Sequence, residues 1–252
     1  MIEYKKREIM KYFIDTEFIE GFHKPLFGKK RHYIDLISIG IVCEDGREFY
    51  AISNEYNYNK ASEWVKENVI IPLYRQKVFG DQRKVLNERN FHKSYGLSNR
   101  QIADAIMKFV NPLIEETPLH TKSWNNHLNK FSVVAMENMP IDFYGYYSDY
   151  DWVLFCSLFG RMMDLPKGFP MYCKDLKQMF DEKANSYTSE QLSKIEYPNV
   201  SHNVLEYLES SGKIDKPIHL KTHKDYPIQE NEHNALDDAR WNKKLFDFIN
   251  GL

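Results

Sequence analysis

Three short clusters hold residues that could do chemistry together. The first is Phe13-Ile14-Asp15-Thr16-Glu17, where an apolar run turns acidic. Side chains alternate along a strand, so the carboxylates of Asp15 and Glu17 point to one face. Two carboxylates side by side repel unless a cation lies between them, and hard oxygen ligands suit Mg²⁺ or Mn²⁺. The plain alternative is a pair of solvated acids where a strand meets its loop. A D-x-E pair by itself does not choose between the two.

The second cluster is Ser148-Asp149-Tyr150-Asp151. Leu154, Phe155 and Leu158 follow Asp151 by three, four and seven positions, which puts that acid on the buried stripe of a helix. Asp149 shares a face with Trp152 and Val153, so spacing leaves both acids open as site residues. A capping box between Ser148 and Asp151, with the acid favoured by the helix dipole, is the alternative.

The third cluster is His233-Asn234-Ala235-Leu236-Asp237-Asp238-Ala239. Asn234 is a natural N-cap, and the apolar stripe of the helix it opens runs through Ala235, Ala239, Leu245, Phe246 and Ile249. Asp238 lies in that stripe, whereas Asp237 is turned about 100° away. A carboxylate on a core-facing stripe is costly unless it pairs with a cation or coordinates a metal. The small alanines let such a helix approach a sheet closely. His233, just before the cap, reads by itself as a surface-loop histidine.

The elements that must position these clusters follow from periodicity. Residues 12–14 are apolar at successive positions, the pattern of a strand buried on both faces and central in a sheet, and this strand is expected to end at the acids. A second strand covers 35–42, Glu44-Asp45-Gly46 is a hairpin signal, and 48–53 returns. Helical spacing runs over 61–74 until Pro72 intervenes. It runs again over 98–110, where Ser98 and Gln101 make a capping box and Pro112 stops the helix. Strand 141–146 leads to helix 149–159, ended by Gly160; strand 169–173 leads to helix 175–182. Residues 186–230 are loop-rich, with short helices near 189–195 and 203–210, and 234–249 is an amphipathic helix. Three strands, helices, strand, helix, strand, helices: this order points to an α/β fold, a mixed sheet flanked by helices.

Bulk properties bound the rest. The 252 residues fit a single domain over 1–252 with insertions around 56–90, 113–139 and 187–230. With 42% hydrophobic and 28% charged residues the composition is that of an ordinary globular chain. The net charge of −2 weakens a role in coating nucleic acid but leaves room for an enzyme whose metals supply local positive charge. Cys43, Cys156 and Cys173 are scattered and lack CxxC spacing, which fits a reducing compartment. No run is apolar and long enough to span a membrane, and the basic start MIEYKKREIMKYF lacks a secretory apolar core. A cytoplasmic location is expected, with no membrane partner.

FIDTEF, YSDYDWVL and HNALDDA resemble the three motifs of the DEDDh group of 3′→5′ exonucleases. That group has the ribonuclease H-like fold and includes ribonuclease T, oligoribonuclease and polymerase proofreading domains. YYSDYDWVLFCSLFG and the following FPMYCKDLKQ are most similar to a bacterial exoribonuclease branch. The resemblance covers the start of the chain, residues 141–182 and the C-terminal helix. It implies a ribonuclease H-like five-stranded sheet, with Asp15, Glu17, Asp151 and Asp238 as ligands of two divalent ions, Mg²⁺ or Mn²⁺. It implies His233 as general base and Asp15 as the bridging ligand, and it selects Asp151 over Asp149. Many relatives carry Asn where this chain has Tyr146, and the three insertions match no motif, which puts substrate choice in doubt.

The implied partners are 3′ ends of RNA or single-stranded DNA. No residue here reads a 2′-hydroxyl, so RNA over DNA rests on resemblance. A binding module without catalysis would have lost one of the five site residues, and all are present. A homodimer is one assembly the sequence leaves open. For substrate contact, Lys24, Lys29, Lys30 and Arg31 crowd the segment after the D-x-E strand and could hold phosphates, or form a solvated basic loop. Phe18 could stack on a terminal base or serve the core. Trp124-Asn125-Asn126-His127 is a polar-aromatic cluster in an expected substrate-facing loop.

Overall fold

Every strand hydrogen bond that matters to the acids runs through one long antiparallel ribbon. In the computed structural model, which describes residues 9–23, 25, 27–78, 87–110, 140–193 (187–193 as backbone) and 220–252, strand β1 (Met10–His23) pairs with β2 (Arg31–Cys43) from Tyr12↔Cys43 to His23↔Arg31. The expected end of the first strand at its acids is thus corrected. β1 runs on to His23 because residues 31–36 of β2 hydrogen-bond to it, although FIEGFH shows no clean alternation of its own. β3 (Glu48–Ile52) returns along β2 after the Glu44–Gly46 turn, where Gly46 takes the left-handed φ of 92°. β4 (Ile141–Gly145) joins the other side of β1 in parallel, and β5 (Lys174–Asp175) joins β4. The result is a five-stranded mixed sheet in the order β3-β2-β1-β4-β5.

The register shifts between Glu17 and Phe18, which pair with Ser38 and Leu36 and leave Ile37 as an extra residue of β2. This bulge keeps both Leu36 and Ile39 in one core cluster, although three-residue spacing would otherwise put them on opposite faces. Ile37 turns instead to a separate cluster with Ile19 and Ile52, and its carbonyl accepts from Ser53 N–H at 2.8 Å.

Helices cover both faces. α1 spans 63–78 as an α turn Glu63–Val65, a π-helical turn Lys66–Ile70 and an α segment Ile71–Val78, and it packs Val69, Ile70 and Leu73 on the Ile37 cluster. The expected interruption at Pro72 is corrected: the helix continues. A proline cannot donate one turn back and its ring crowds that carbonyl, and a widened turn just before it accommodates both. α2 (Asn99–Val110) has the expected Ser98–Gln101 box, with Ser98 N–H donating to Gln101 Oε1 at 2.9 Å and Gln101 N–H to Ser98 Oγ at 3.2 Å. α2 and α3 (Asp149–Phe159) pack on the face that carries Tyr12, Ile14 and Phe143. α4 (Leu176–Ser193) and α5 (Ala235–Gly251) pack on the opposite face, over Phe13, Val42 and Tyr144.

The strand expected at 169–173 is displaced: Phe169 enters the core, Gly168 turns the chain at φ 95°, and pairing starts only at Lys174, where Tyr144 offers a partner. The helix expected to stop at 182 continues to Ser193. Among the described residues no helix is long and apolar enough to cross a membrane. Residues 113–139 and the 203–210 segment lie outside the described residues.

One close approach positions the C-terminal helix. A Cβ at Gly40 would lie 2.2 Å from the Ala235 carbonyl oxygen and 2.5 Å from Leu236 Cα, so backbone of α5 rests directly on β2. Gly40 is also the cross-strand partner of Asp15. Gly40→Ala is expected to destabilise the fold by about 1–3 kcal/mol, the usual cost of overpacking a dense contact. Urea titration would read this as a lower midpoint, and an unchanged midpoint would mean that α5 is not seated there.

Candidate active site

β1 presents Asp15 and Glu17 on one face, and α5 brings the third acid to them. The Asn234 side chain caps the helix by accepting from Leu236 N–H at 3.2 Å and Asp237 N–H at 3.4 Å. This start places Asp238 in the first turn facing β1, buried, while Asp237 turns away to pair with Arg240, which also binds Glu48 at 2.6 Å. The 100° separation read from the sequence therefore holds. Carboxylate oxygens of Asp15, Glu17 and Asp238 all lie within 4.8 Å of one another.

Asp151 comes from the other side of the sheet edge. It is buried at the N-terminus of α3, whereas Asp149 is exposed, so tertiary structure separates the two acids that spacing could not. The Ser148–Asp151 capping box does not form. The Asp151 carboxylate accepts instead from Thr16 N–H at 2.9 Å and from Thr16 Oγ1, and Ser148 N–H donates to Asp175 Oδ2 at 3.0 Å. Thr16 thus ties the helix acid to the strand residue between the other two.

Burial and mutual repulsion govern the electrostatics. Burial lifts Asp15 well above the carboxylate range, and the charges of Asp151, Glu17 and Asp238 lift it further. Burial, then Asp238 and Asp151, push Glu17 up to about 8. Asp151 rises to about 6 through burial, held back by the Thr16 hydrogen bonds. Asp238 is raised by burial and restrained by Gln229 Nε2, donating at 2.7 Å, and His233 N–H, donating at 2.9 Å. All four acids resist ionising in the bare protein. Such a set of hard oxygen donors fits divalent cations, whose charge would reverse each shift.

The acids line a cleft of about 250 Å³ together with Thr16, Phe18, Tyr146, Gln229, His233, Trp241 and Asn242. His233 takes the left-handed φ of 69°, which histidine adopts more readily than bulkier residues, and its ring meets Trp64 edge-on at 4.8 Å. All five residues predicted for the site therefore share one cleft. Phe18 lines it too, with its ring against Tyr150 at 5.7 Å. Lys29 and Lys30 lie in the β1–β2 connection, and Arg31 pairs with His23, six residues past Glu17. At about 3.4 Å per residue, that is about 20 Å from the acids. Lys24 and the Trp124–His127 cluster lie outside the described residues.

Several residues in or beside the cleft carried little readable signal. Gln229 sits in a loop-rich stretch, and Trp64 stands on a helix some 170 residues away in sequence from the histidine it touches. Asn242 is buried and donates to the Ile14 carbonyl at 2.9 Å, fastening α5 to β1. Its place one turn after Asp238, on the same stripe, was the available clue. Tyr146 packs edge-on against Trp241 at 5.1 Å.

Comparison with known proteins decides the family. The model of the 3′-5′ exoribonuclease Rv2179c-like domain matches residues 10–250. The chain belongs to this family. It is 28% identical over 176 residues to the 3′-5′ exoribonuclease Rv2179c of Mycobacterium tuberculosis strain H37Rv, covering 69% of this chain and 76% of that protein. The 3′-5′ exoribonuclease MT2234.1 of strain CDC 1551 matches to the same extent. Within the family match fall all five site residues, from Asp15 to Asp238.

The raised acids give the fold a pH dependence of definite sign. Their folded pKa values exceed the ordinary 3.8 of Asp and 4.5 of Glu, so between about pH 4 and about pH 8 the folded state holds more protons than the unfolded one. Site stability is full below the unfolded values and is lost as pH rises. In chelator, the melting temperature is expected to fall from about pH 5 to about pH 8, and Mg²⁺ or Mn²⁺ should raise it more at the upper end. Glu17→Gln should raise the chelated protein's melting temperature at about pH 8 by at least 2–4 °C, roughly the effect of 1 kcal/mol. Differential scanning fluorimetry checks this, and a metal shift that is equal at both pH values would contradict it.

Proposed function

We propose that the protein is a metal-dependent 3′→5′ exoribonuclease of the DEDDh group, on a ribonuclease H-like scaffold, releasing 5′-nucleotides from RNA 3′ ends. The observation that carries this reading is the convergence of four acids from β1, α3 and α5 on one cleft, with three of them within 4.8 Å, inside a domain of an exoribonuclease family. The free cysteines Cys43, Cys156 and Cys173 fit work in a reducing cytoplasm.

Asp15, Glu17, Asp151 and Asp238 would hold the divalent cations, with Asp15, whose carboxylate feels the charges of the other three, as their shared ligand. Bound there, the ions would supply the positive charge that stabilises the scissile phosphate and its attacking and leaving oxygens. Thr16 keeps Asp151 oriented, and Gln229 with the His233 N–H does the same for Asp238. His233, on the cleft wall, takes a proton from the attacking water as general base. Water adds at phosphorus, the 3′-oxygen of the preceding nucleotide leaves, and a 5′-nucleotide departs. Phe18 supports the terminal base. The edge contact with Trp64 steadies the histidine ring in the cleft wall.

The test is a 5′-labelled single-stranded RNA incubated with Mg²⁺ or Mn²⁺, alongside a matched DNA. Stepwise shortening from the 3′ end, faster on RNA, is expected, with none in chelator. Asp15→Ala should abolish it. His233→Ala should lower kcat by about 10²–10⁴ while leaving the metal-induced thermal shift intact, because it removes a proton acceptor and no ligand. Intact RNA under both metals would overturn the reading, and faster shortening of DNA would replace its substrate.

A further inference from the structure

The cleft takes a 3′ end, so the rest of a bound strand has to leave it over neighbouring surface. On the α3 side of the β1–β2 ribbon, four rings stand in an unbroken row. Phe18, in the cleft wall, meets Tyr150 at 5.7 Å; Tyr150 stacks on His32 at 6.1 Å and 28°; His32 meets Phe22 edge-on at 5.6 Å. Strand register builds the row. Phe18 and Phe22 share one face of β1 by period-two alternation, and His32 stands directly opposite Phe22 on β2.

The row leaves the core as it leaves the cleft. Phe18 packs against the main core cluster, but Tyr150 is 46% and Phe22 67% exposed, and the His32 side chain is 39% exposed. Beyond Phe22 the ribbon ends in Lys29, Lys30 and Arg31, all exposed. Glu20 lies on the same face, where its carboxylate meets His32 Nε2 at 3.4 Å. Open aromatic faces followed by cations are the combination that holds single strands: bases stack without regard to sequence, and phosphates meet positive charge.

We propose that this ribbon face is the track for the nucleotides upstream of the 3′ end, a single-stranded RNA lying along Tyr150, His32 and Phe22 toward the basic tip. The proposal rests on the exonuclease reading of the cleft. It gives the net-acidic protein a local RNA-binding surface, continuous with its site through Phe18. Bases beyond the reacting one rest on the rings, and the tip meets phosphates about 20 Å away, a distance set by the strand rise. A short substrate does not reach the tip. The competing account is cross-strand packing that only stabilises the ribbon.

Kinetics on two lengths separate them. Full-length protein is assayed on a dinucleotide and on a single-stranded RNA of about 12 nucleotides, within the span of known stacking grooves. Phe22→Ala and Tyr150→Ala should each raise KM on the longer RNA by about fivefold or more, with kcat, dinucleotide kinetics and melting temperature unchanged. Phe22→Tyr should restore wild-type KM. Replacing Lys29, Lys30 and Arg31 by Ala should flatten the salt dependence of binding by up to about 2 in log–log slope. Wild-type KM in the alanine variants, or an equal rise on both lengths, overturns the track. If the wild-type protein cleaves no RNA, the exonuclease reading fails, and fluorescence anisotropy of the same labelled RNA in Ca²⁺ still decides the track: equal affinity in wild type and Phe22→Ala overturns it.

Discussion

The first turn of α5 lies against bare backbone at Gly40, and the acid cluster depends on that contact. β2 offers no side chain there, so Ala235 and Leu236 come within van der Waals reach of the strand, and Asp238 reaches the carboxylates of β1. Ala239 and Asn242 continue the approach one turn further, the first as a small buried surface and the second through its bond to the Ile14 carbonyl. A larger residue at position 40 would lift the helix and separate carboxylates that lie within a few ångströms of one another. The N-cap at Asn234 and the left-handed His233 before it define the same geometry from the other end, since they determine where the helix begins.

That packing works against the charges it assembles. Burial and like-charge proximity push all four acids toward their neutral forms, and the protein offers them few donors: Thr16 for Asp151, Gln229 and a backbone N–H for Asp238. Carboxylates shifted this strongly and gathered in a cleft mark a candidate functional site. The cost in stability is carried by the sheet. β1 is sandwiched between two core clusters, with Tyr12 and Ile14 in one and Phe13 in the other, and this rigidity holds the acids at separations they would otherwise relax.

The ribbon past Glu17 has a different character. Its bulge at Ile37 re-aims β2 so that one edge feeds the core under α1 and the other leaves a row of rings on the surface. One pair of strands therefore places the acids in its central part and carries a row of exposed rings on its extension.

Much of this was legible in the residues. The helix at 149–159, the hairpin, the Ser98–Gln101 box and the direction of Asp238 against Asp237 followed from periods of 2 and 3.6, capping chemistry and the cost of a carboxylate on an apolar stripe, all of which act within a few residues. Membership of Asp15 and Glu17 in one site followed from strand alternation for the same reason. Other features depended on contacts that no local pattern encodes. The extension of β1 needed its β2 partner, the shift of β5 to Lys174 needed Tyr144, and the physical basis for Asp151 over Asp149, which only the resemblance had selected, lay in burial and the Thr16 donors on another element. The sequence alone determined which face of its own element each candidate side chain occupies. Only the tertiary structure decided which faces meet, because that depends on close approaches such as Gly40 to Ala235, between residues 195 positions apart.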